Sequence, residues 1–349
     1  MQLKQNVHQA LLRGAYQSRA YRLIEKLSGS LGTILMLHRV VRDKEECLDQ
    51  YLAVTASHLD RTIAHFRRLG LEFVSVPDVA AALAGEKRFD GRAVALTFDD
   101  GYRDNLTRAL PILEKHQVPA TIYVVSGAPD RTMDVWHLRL EHIIRRSSSL
   151  SLAGLGLEET LSLSAPGEKK AAYARLTDIA FREFARFKAF LFDLLPASRV
   201  SDEQLMEEMF LSWEELRGLA RHPLITIGAH TESHPILAQL SEEEAFGEMV
   251  RGRARITKEL NCPADHFAYP YGRKCECGPR EFRLAARAGF TTAVTTRYGE
   301  IYQEHSQHPH CLPRMNFGGP VEHIADAVLD VFGTRTAISK RCFTPVVTD

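Results

Sequence analysis

The feature that most constrains the fold is a regular alternation of short apolar runs with segments of helical periodicity. Apolar runs predict strands at residues 33–37, 72–76, 93–98, 121–125, 224–227, 267–269 and 291–295. Helical spacing predicts helices at 54–69, 79–83, 104–116, 321–332, and from the capping box of Ser241 and Glu244 to about 260. Strands that alternate with helices are typical of βαβ units around a parallel sheet. Because active sites in such folds lie where the strands end, residues that directly follow the runs are the first candidates for chemistry.

Residues 131–222 interrupt this alternation. They predict a helix at 136–146, a hairpin within 147–164 and a long helix around 169–195, without a cluster of candidate metal ligands. A chain of 349 residues fits one barrel-like α/β domain with such an insertion. We therefore expect an N-terminal peripheral helix at 1–30, a main domain at 31–335 interrupted by 131–222, and a C-terminal tail at 336–349.

The charge balance argues against a polyanionic partner. Lysine plus arginine and aspartate plus glutamate both count 44, so no net charge attracts nucleic acid or an anionic membrane. The longest apolar stretch near the N-terminus, Ile34–Leu37, is too short for a secretion signal or a membrane span. We expect a cytoplasmic protein, with peripheral membrane association and the oligomeric state left open.

The six cysteines lie at irregular positions and do not suggest a disulfide framework, so reduced thiols are expected. An alternative is a second metal site made of Cys275, Cys277 and Cys311 with His308 or His310. The Cys-x-Cys spacing lacks the two-residue gap that is usual in structural zinc motifs, which disfavours this alternative.

Two adjacent carboxylates follow one of the apolar runs. Asp99 and Asp100 come directly after residues 93–98 and precede Gly101. Neighbouring side chains on extended backbone point to opposite sides, so one carboxylate can ligate a cation while the other faces a bound water. Taken alone, such a pair more often caps the next helix, and a metal site needs a second feature to support it.

Two histidines supply that second feature. His230 and His234 follow the run 224–227, and Pro235 disfavours helix at His234, so we expect a tight loop at the strand end. One carboxylate with two imidazoles leaves a coordination position open for water, as in catalytic zinc sites. The two pairs together favour a metal-dependent hydrolase.

Three short motifs therefore stand after predicted strands. They read Thr-Phe-Asp-Asp-Gly-Tyr at 97–102, His-x-x-x-His-Pro at 230–235 and Tyr-Pro-Tyr-Gly at 269–272. These motifs resemble the first three motifs of the polysaccharide deacetylases, carbohydrate esterase family four. The resemblance spans about residues 33–317 without the insertion, and its first two motifs together are highly specific.

The resemblance implies a distorted (β/α) barrel that removes an acetyl group from N-acetylated sugars of a polysaccharide, an oligosaccharide or a lipid-linked glycan, as in the synthesis of a cell-envelope glycan. It implies Asp99 as the general base, and Asp100, His230 and His234 as ligands of a divalent metal. In the family the metal is usually zinc, with nickel or cobalt as substitutes. No other cofactor is implied.

Two departures from the family pattern concern the rest of the site. Many members carry, where this chain has Ala268, an arginine that orients the base, and Arg314 is the candidate to replace it. Many members also supply a general acid from a C-terminal Leu-x-His motif, which is missing after Asn316. The segment 36–40 instead resembles the first strand of a circularly permuted branch that includes poly-N-acetylglucosamine deacetylases. We therefore assign His38 as the acid that protonates the leaving amine, against the alternative of a buried structural histidine.

Tyr271, Tyr269 and Arg314 complete the candidates, as contacts of the substrate or its oxyanion. Two other functions remain open at this point. One is another metal hydrolase such as a phosphoesterase, although no glycine-rich cradle or cluster of cations for a phosphate is evident. The other is an inactive carbohydrate-binding member of the fold. The sequence does not identify the glycan, nor does it separate amide from ester substrates.

Overall fold

In the computed structural model, which describes residues 11–198, 200–319 and 322–340, an eight-stranded parallel sheet forms the centre of the molecule. Its strands are β1 (Gly32–Leu37), β4 (Glu72–Val74), β5 (Ala93–Phe98), β6 (Ala120–Val124), β9 (Ile225–Ala229), β10 (His266–Ala268), β11 (Thr292–Val294) and β12 (Met315–Asn316). Outside it, β2 (Arg39–Val41) pairs in parallel with β3 (Ala53–Thr55), and β7 (Ser149–Ser151) pairs with antiparallel β8 (Thr160–Ser162). The predicted α/β fold is confirmed, and each of the seven predicted runs overlaps a strand.

The strand order β11-β10-β9-β6-β5-β1-β12 brings the ends of β1, β5 and β9 to one edge. β5 pairs with β1 along its whole length, from Gly32 with Ala93 to Leu37 with Phe98. On its other side, β5 pairs first with β4 and then with β6. Both β1 and β5 are buried at every residue, which explains why their sequences are continuous apolar runs rather than alternating ones.

The segment 309–316 joins the two edges of the sheet. Its first half runs parallel to β11, with Leu312 opposite Val294, and its second half pairs with β1, with Met315 opposite Leu35. The sheet therefore curls into a distorted barrel, in agreement with the fold that the resemblance implies.

Helices surround this barrel. They are α1 (Tyr21–Ser28), α2 (Ala56–Arg68), α3 (Val76–Leu83), α4 (Leu110–His116), α5 (Trp136–Arg146), α6 (Pro166–Arg182), α7 (Phe184–Ser198), α8 (Asp202–Met209), α9 (Trp213–Ala220), α10 (Glu242–Leu260), α11 (Pro279–Arg287), α12 (Ile324–Val331) and α13 (Thr334–Lys340). The predicted capping box is present: the hydroxyl of Ser241 accepts from the N–H of Glu244, whose carboxylate accepts from Ser241. Among the described residues, no helix combines the length and the apolar character that crossing a bilayer requires.

The predicted helix at 104–116 is divided. A π-helix covers Asn105–Ala109, and α4 begins at Leu110 with Pro111 in its first turn. Proline has no N–H to donate to the preceding turn, and a π-segment is one way in which a helix accommodates that loss.

The insertion lies between β6 and β9, which are neighbours in the sheet, and contains α5 to α9 with the predicted hairpin β7–β8. The single long helix predicted around 169–195 is wrong. The backbone leaves helical geometry at Glu183, which separates α6 from α7 without a glycine or proline. The rings of Phe181, Phe184 and Phe187 surround Trp136 at centroid distances of 6.2, 5.9 and 5.8 Å, so this packing, rather than a local breaker, accompanies the break.

Helices near the two ends of the described part of the chain lie close together. Tyr21 on α1 lies 4.8 Å from the ring of Phe332, just after α12. Residues 1–10 and 341–349, which belong to the predicted N-terminal helix and C-terminal tail, lie outside the described residues. Helix α13 covers the start of the predicted tail. The domain boundaries stay predictions.

Candidate metal centre and active site

The three predicted metal ligands lie together after β5 and β9. Oδ1 of Asp100 is 3.4 Å from Nε2 of His230 and 3.4 Å from Nε2 of His234. One donor atom from each residue lies within 4.8 Å of the others. Oδ1 of Asp100 is buried, and no group among the described residues donates a hydrogen bond to it. A buried carboxylate oxygen that lacks a donor and faces two imidazole nitrogens fits a divalent cation.

The ring of His230 is fixed by a backbone carbonyl. Its Nδ1 lies 2.7 Å from the carbonyl oxygen of Ala268 at the end of β10. Because a carbonyl only accepts, Nδ1 carries the proton and Nε2 presents a lone pair toward Asp100. The structure therefore holds His230 in the tautomer that a metal ligand requires.

The two histidines are connected by a loop, as predicted from Pro235. Thr231 and His234 have φ values of 68° and 63°, in the left-handed region. The carboxylate of Glu248 accepts two backbone N–H groups of the loop at 3.1 and 2.9 Å. The loop also lies directly on α10, where a Cβ at Gly252 would approach the carbonyl of Thr231 to 2.6 Å. This support from α10 fixes a backbone path that carries both imidazoles to one point.

Burial and charge set the protonation of the ligands. Burial lowers the pKa of His234 to about 3, so its imidazole is neutral at pH 7. Burial raises the pKa of Asp100, but the contact with His230 and the charges of the histidines outweigh it, and the net shift is downward. Burial lowers the pKa of His230, but Asp100 reverses the shift, so its pKa lies above the ordinary value. A cation bound here would favour the neutral form of His230, whose Nε2 would then be free to coordinate it.

Asp99 is held by Arg314. Two hydrogen bonds of 2.7 Å join the guanidinium to both carboxylate oxygens. Arg314 is fully buried and also donates to the carbonyl of Thr295 and the hydroxyl of Thr97. Burial alone would raise the pKa of Asp99, but the charge and hydrogen bonds of Arg314 bring it below the ordinary value. Asp99 is therefore an ionised, rigidly held carboxylate.

His38 also lies beside Asp99, directly after β1. Its Nε2 lies 3.9 Å from Oδ2 of Asp99, and its backbone carbonyl accepts from the amide of Asn105 at 2.8 Å. The pairing of β1 with β5 places Leu37 beside Phe98, so the residues that follow both strands emerge together. This register explains how His38 comes next to a carboxylate 61 positions away in the sequence.

A cavity of about 340 Å³ opens over these residues. His38, Asp99, Asp100, His230, His234 and Tyr271 line its barrel side. Tyr271 contacts the ring of His234 at 4.9 Å, and burial raises the pKa of its hydroxyl to about 12, so the hydroxyl stays protonated. Tyr271 therefore offers a hydrogen-bond donor next to the ligand cluster.

The other side of the cavity comes largely from residues that the sequence did not indicate. The insertion contributes Trp136, His137, Tyr173, Thr177 and Phe181. Burial lowers the pKa of His137, so it is neutral. A signal did exist for three of them, since positions 173, 177 and 181 are four apart on a predicted helix and so share one face. The loop between β2 and β3 adds Asp49 and Tyr51.

Tyr269 and Arg314, two of the predicted contacts of the substrate or its oxyanion, are both buried. Tyr269 is fully buried, packs on Phe267 at 5.0 Å and donates its hydroxyl to the carbonyl of His310 at 2.8 Å. Neither Tyr269 nor Arg314 lines the cavity. Tyr269 is a core residue, and Arg314 contacts the carboxylate of Asp99 from behind.

The alternative second metal site is not formed within residues 11–198, 200–319 and 322–340. There, the group of Asp100 with the two histidines is the only one in which three donor side chains approach each other closely enough to share an ion. The sulfur of Cys311 instead donates to the carbonyl of His308 at 3.5 Å.

Comparison with known proteins decides the family. The family model for polysaccharide deacetylase matches residues 86–293, more than half of the chain. The chain belongs to the polysaccharide deacetylase family. The matched region contains Asp99 and Asp100 as well as both histidines of the cluster, whereas His38 and Arg314 lie outside it.

One curated relative is the poly-beta-1,6-N-acetyl-D-glucosamine N-deacetylase of Escherichia coli (strain K12), which is 37% identical over 92 residues. The aligned segment is 26% of this chain and only 14% of that protein. It therefore supports the family and leaves most of the relative without a counterpart in the alignment.

Two solved structures share the fold over most of the chain. The Streptococcus pyogenes deacetylase PplD, solved in complex with acetate, has a TM-score of 0.57 at 20% identity and covers 87% of this chain and 99% of its own. IcaB from Ammonifex degensii has a TM-score of 0.54 at 19% identity, with coverages of 87% and 97%. At these identities the likeness establishes the architecture of the polysaccharide deacetylase barrel, and function has to be argued from the site.

Proposed function

We propose that this protein is a metal-dependent deacetylase that hydrolyses the acetamido group of an N-acetylated sugar in a glycan. The observation that carries the proposal is the cluster of Asp100, His230 and His234 beside the ionised Asp99, in one cavity at the carboxyl ends of the strands. The family and the activity named for the Escherichia coli relative support the choice of an acetylated sugar.

The donor set suits zinc. One carboxylate and two neutral imidazoles are common ligands of catalytic zinc, and nickel or cobalt accept the same atoms. When bound, the cation would lower the pKa of a coordinated water toward neutrality and polarise the acetyl carbonyl. Asp100, His230 and His234 would hold it.

Asp99 is the proposed general base. Because Arg314 keeps its carboxylate ionised and fixed, Asp99 can accept a proton from the attacking water without first losing one itself. Arg314 is the proposed positioning residue for Asp99. It would take the role of the arginine that many family members carry where this chain has Ala268.

His38 and Tyr271 complete the proposed mechanism. His38, in its protonated form, would donate to the nitrogen of the sugar as the amide bond breaks, because an amine anion cannot leave unaided. Tyr271 keeps its hydroxyl proton and would donate a hydrogen bond to the developing oxyanion. The two groups thus serve opposite ends of the amide.

The composition of the cavity disfavours a phosphoesterase. Arg314 is engaged by Asp99, and Arg273 is the single arginine or lysine among the described residues that line the cavity. A phosphoryl group usually meets several cations or a cradle of backbone N–H groups. An acetamide needs neither.

The test is acetate release by the metal-loaded protein. The purified chain, depleted of metal and then titrated with zinc, should bind about one equivalent per chain and release acetate from N-acetylglucosamine oligomers. Release from O-acetylated sugars measured in parallel separates amide from ester hydrolysis. Folded, zinc-loaded protein that released acetate from neither class would overturn the proposal.

A further inference from the structure

The wall of the cavity opposite the metal-ligand cluster is built by the insertion. Tyr173, Thr177 and Phe181 are spaced by four on α6, so one face of this helix borders the cavity. Trp136 and His137, from the start of α5, lie beside that face. The catalytic side comes from strand ends, and this facing wall comes from the insertion.

The wall is attached to the barrel through the third sequence motif. Tyr271 contacts the ring of Phe181 edge to face at 5.6 Å, and Phe181 in turn packs edge to face on Trp136 at 6.2 Å. The guanidinium of Arg273 lies 5.5 Å from the centroid of Phe181. These contacts hold the wall at a defined distance from the ligand cluster.

The size of the enclosed space limits what it can hold. A volume of about 340 Å³ lies at the lower end of the range of roughly 300–1,000 Å³ for small-ligand sites. It suits one sugar ring with its acetamido group. A longer glycan would have to continue outside, past the mouth.

Phe181 marks that mouth. Phe181 borders the cavity and yet is 42% exposed, whereas Trp136, against which it packs, is only 6% exposed. A pyranose ring has one face of C–H groups and a rim of hydroxyls. An exposed aromatic face beside hydroxyl partners such as Asp49 and Thr177 matches both parts of a sugar.

We infer that the insertion forms a subsite for a single acetamido sugar, at the end of a glycan or in a short one, with Phe181 stacked against the face of the sugar. The inference rests on the proposed deacetylase function. Its consequence is a division of labour, in which strand-end residues carry out the hydrolysis and the insertion selects the substrate.

The test compares Phe181→Ala with Phe192→Ala. Phe192 lies on α7 of the same insertion, is 70% exposed and does not line the cavity, so it is a matched control. With zinc-loaded protein, Phe181→Ala should raise KM for the N-acetylglucosamine dimer about tenfold and change kcat less than about twofold, because a partly exposed ring contributes to binding alone. Phe192→Ala should match the wild type. Hydrolysis of para-nitrophenyl acetate, which carries no sugar, should be the same in Phe192→Ala and the wild type.

A series of N-acetylglucosamine oligomers, from monomer to hexamer, tests the size of the subsite. A pocket for one sugar predicts that kcat/KM rises little beyond the dimer and that the deacetylated unit, located by mass spectrometry, is at a chain end. A steady rise to the hexamer with internal deacetylation, or equal KM values for Phe181→Ala and Phe192→Ala, would overturn the inference. Both results leave the deacetylase proposal standing, whereas a wild type inactive on every acetylated substrate defeats the proposed function itself.

Discussion

The two sides of the cavity differ in how their residues are placed. On the barrel side, His38, Asp99, Asp100 and His230 each lie within two residues of the end of a strand, and the register of the sheet fixes their distances. On the insertion side, the contributing residues lie on helices whose positions depend on packing around Trp136. Strand-end chemistry can therefore be read from sequence motifs, but the shape of the facing wall cannot.

This difference suggests which measurements each side should affect. Variants at the strand ends should change metal binding or kcat, because these residues contact the metal position or the reacting bond. Variants on the insertion should change KM, because they contact the rest of the sugar. Single-residue variants can test whether each side of the cavity affects only its own group of measurements.

The largest effect is expected for the metal ligands. His230→Ala or His234→Ala removes one of three protein ligands and should abolish detectable activity. Loss of an outer partner of a ligand typically weakens metal affinity about 10- to 100-fold, so loss of the ligand itself should exceed that. Zinc titration with elemental analysis measures the zinc affinity of each variant. Phe181→Ala serves as control and should keep wild-type zinc affinity, and a loss of zinc in that variant would break the division between the two sides.

Variants of Asp99 and Asp100 should separate proton transfer from metal binding. Asp99→Asn should retain zinc but lose activity near the upper end of the roughly 10²–10⁴-fold range for general acid–base groups, since an amide cannot accept the proton. Asp100→Asn should weaken zinc binding instead. The reverse pattern in zinc titration and acetate release would exchange the roles of the two residues.

His38→Ala tests whether the first strand contributes to the chemistry. We expect kcat to fall about 10²-fold or more with zinc affinity nearly unchanged, because His38 approaches Asp99 and is not in the ligand cluster. An ester with a good leaving group needs little protonation, so para-nitrophenyl acetate should suffer much less than an N-acetylated sugar. Equal losses on both substrates would reduce His38 to a packing residue.

The sequence predicted the strand-end residues because their chemistry is local. A pair of catalytic residues directly after an apolar run is positioned by the strand itself. The motifs at 97–102 and 230–235 each contain such a pair, the two aspartates and the two histidines. Arg314 was harder, since its contact with Asp99 depends on the segment 309–316 closing the barrel. The single sequence signal for Arg314 was that this chain has Ala268 where many family members have an arginine.

The insertion was predicted less well because its arrangement is tertiary. Its hairpin and its first helix were foreseen from local signals. The break at Glu183 has no local breaker, and the cavity face of α6 reads like an ordinary amphipathic helix. Nothing in the spacing of Tyr173, Thr177 and Phe181 shows that they face a site rather than a core.

The smallest expected effects come from two tyrosines of one motif, Tyr269 and Tyr271. Both were predicted from one motif as substrate contacts, but the chain turns between them. Tyr269 lies in the core, whereas Tyr271, with φ of 61°, lines the cavity. Tyr271→Phe removes a hydroxyl that would assist an oxyanion already stabilised by the cation, so kcat should fall only about tenfold while thermal stability stays the same.

Tyr269→Phe should show the opposite pattern. It removes the hydrogen bond to the carbonyl of His310, which is worth roughly 0.5–1.5 kcal/mol, without emptying the space that the ring fills. Melting should therefore shift down by about 1–3 °C for a chain of this size. Neither KM nor kcat should change, because the ring lies behind the strand ends and does not border the cavity. A loss of kcat in Tyr269→Phe as large as that in Tyr271→Phe would show that core packing at β10 controls the ligand cluster, through the contact of His230 with Ala268. The activity of the strand-end residues would then depend on the core behind them. The core at β10 would have to be added to the two sides of the cavity as a determinant of kcat.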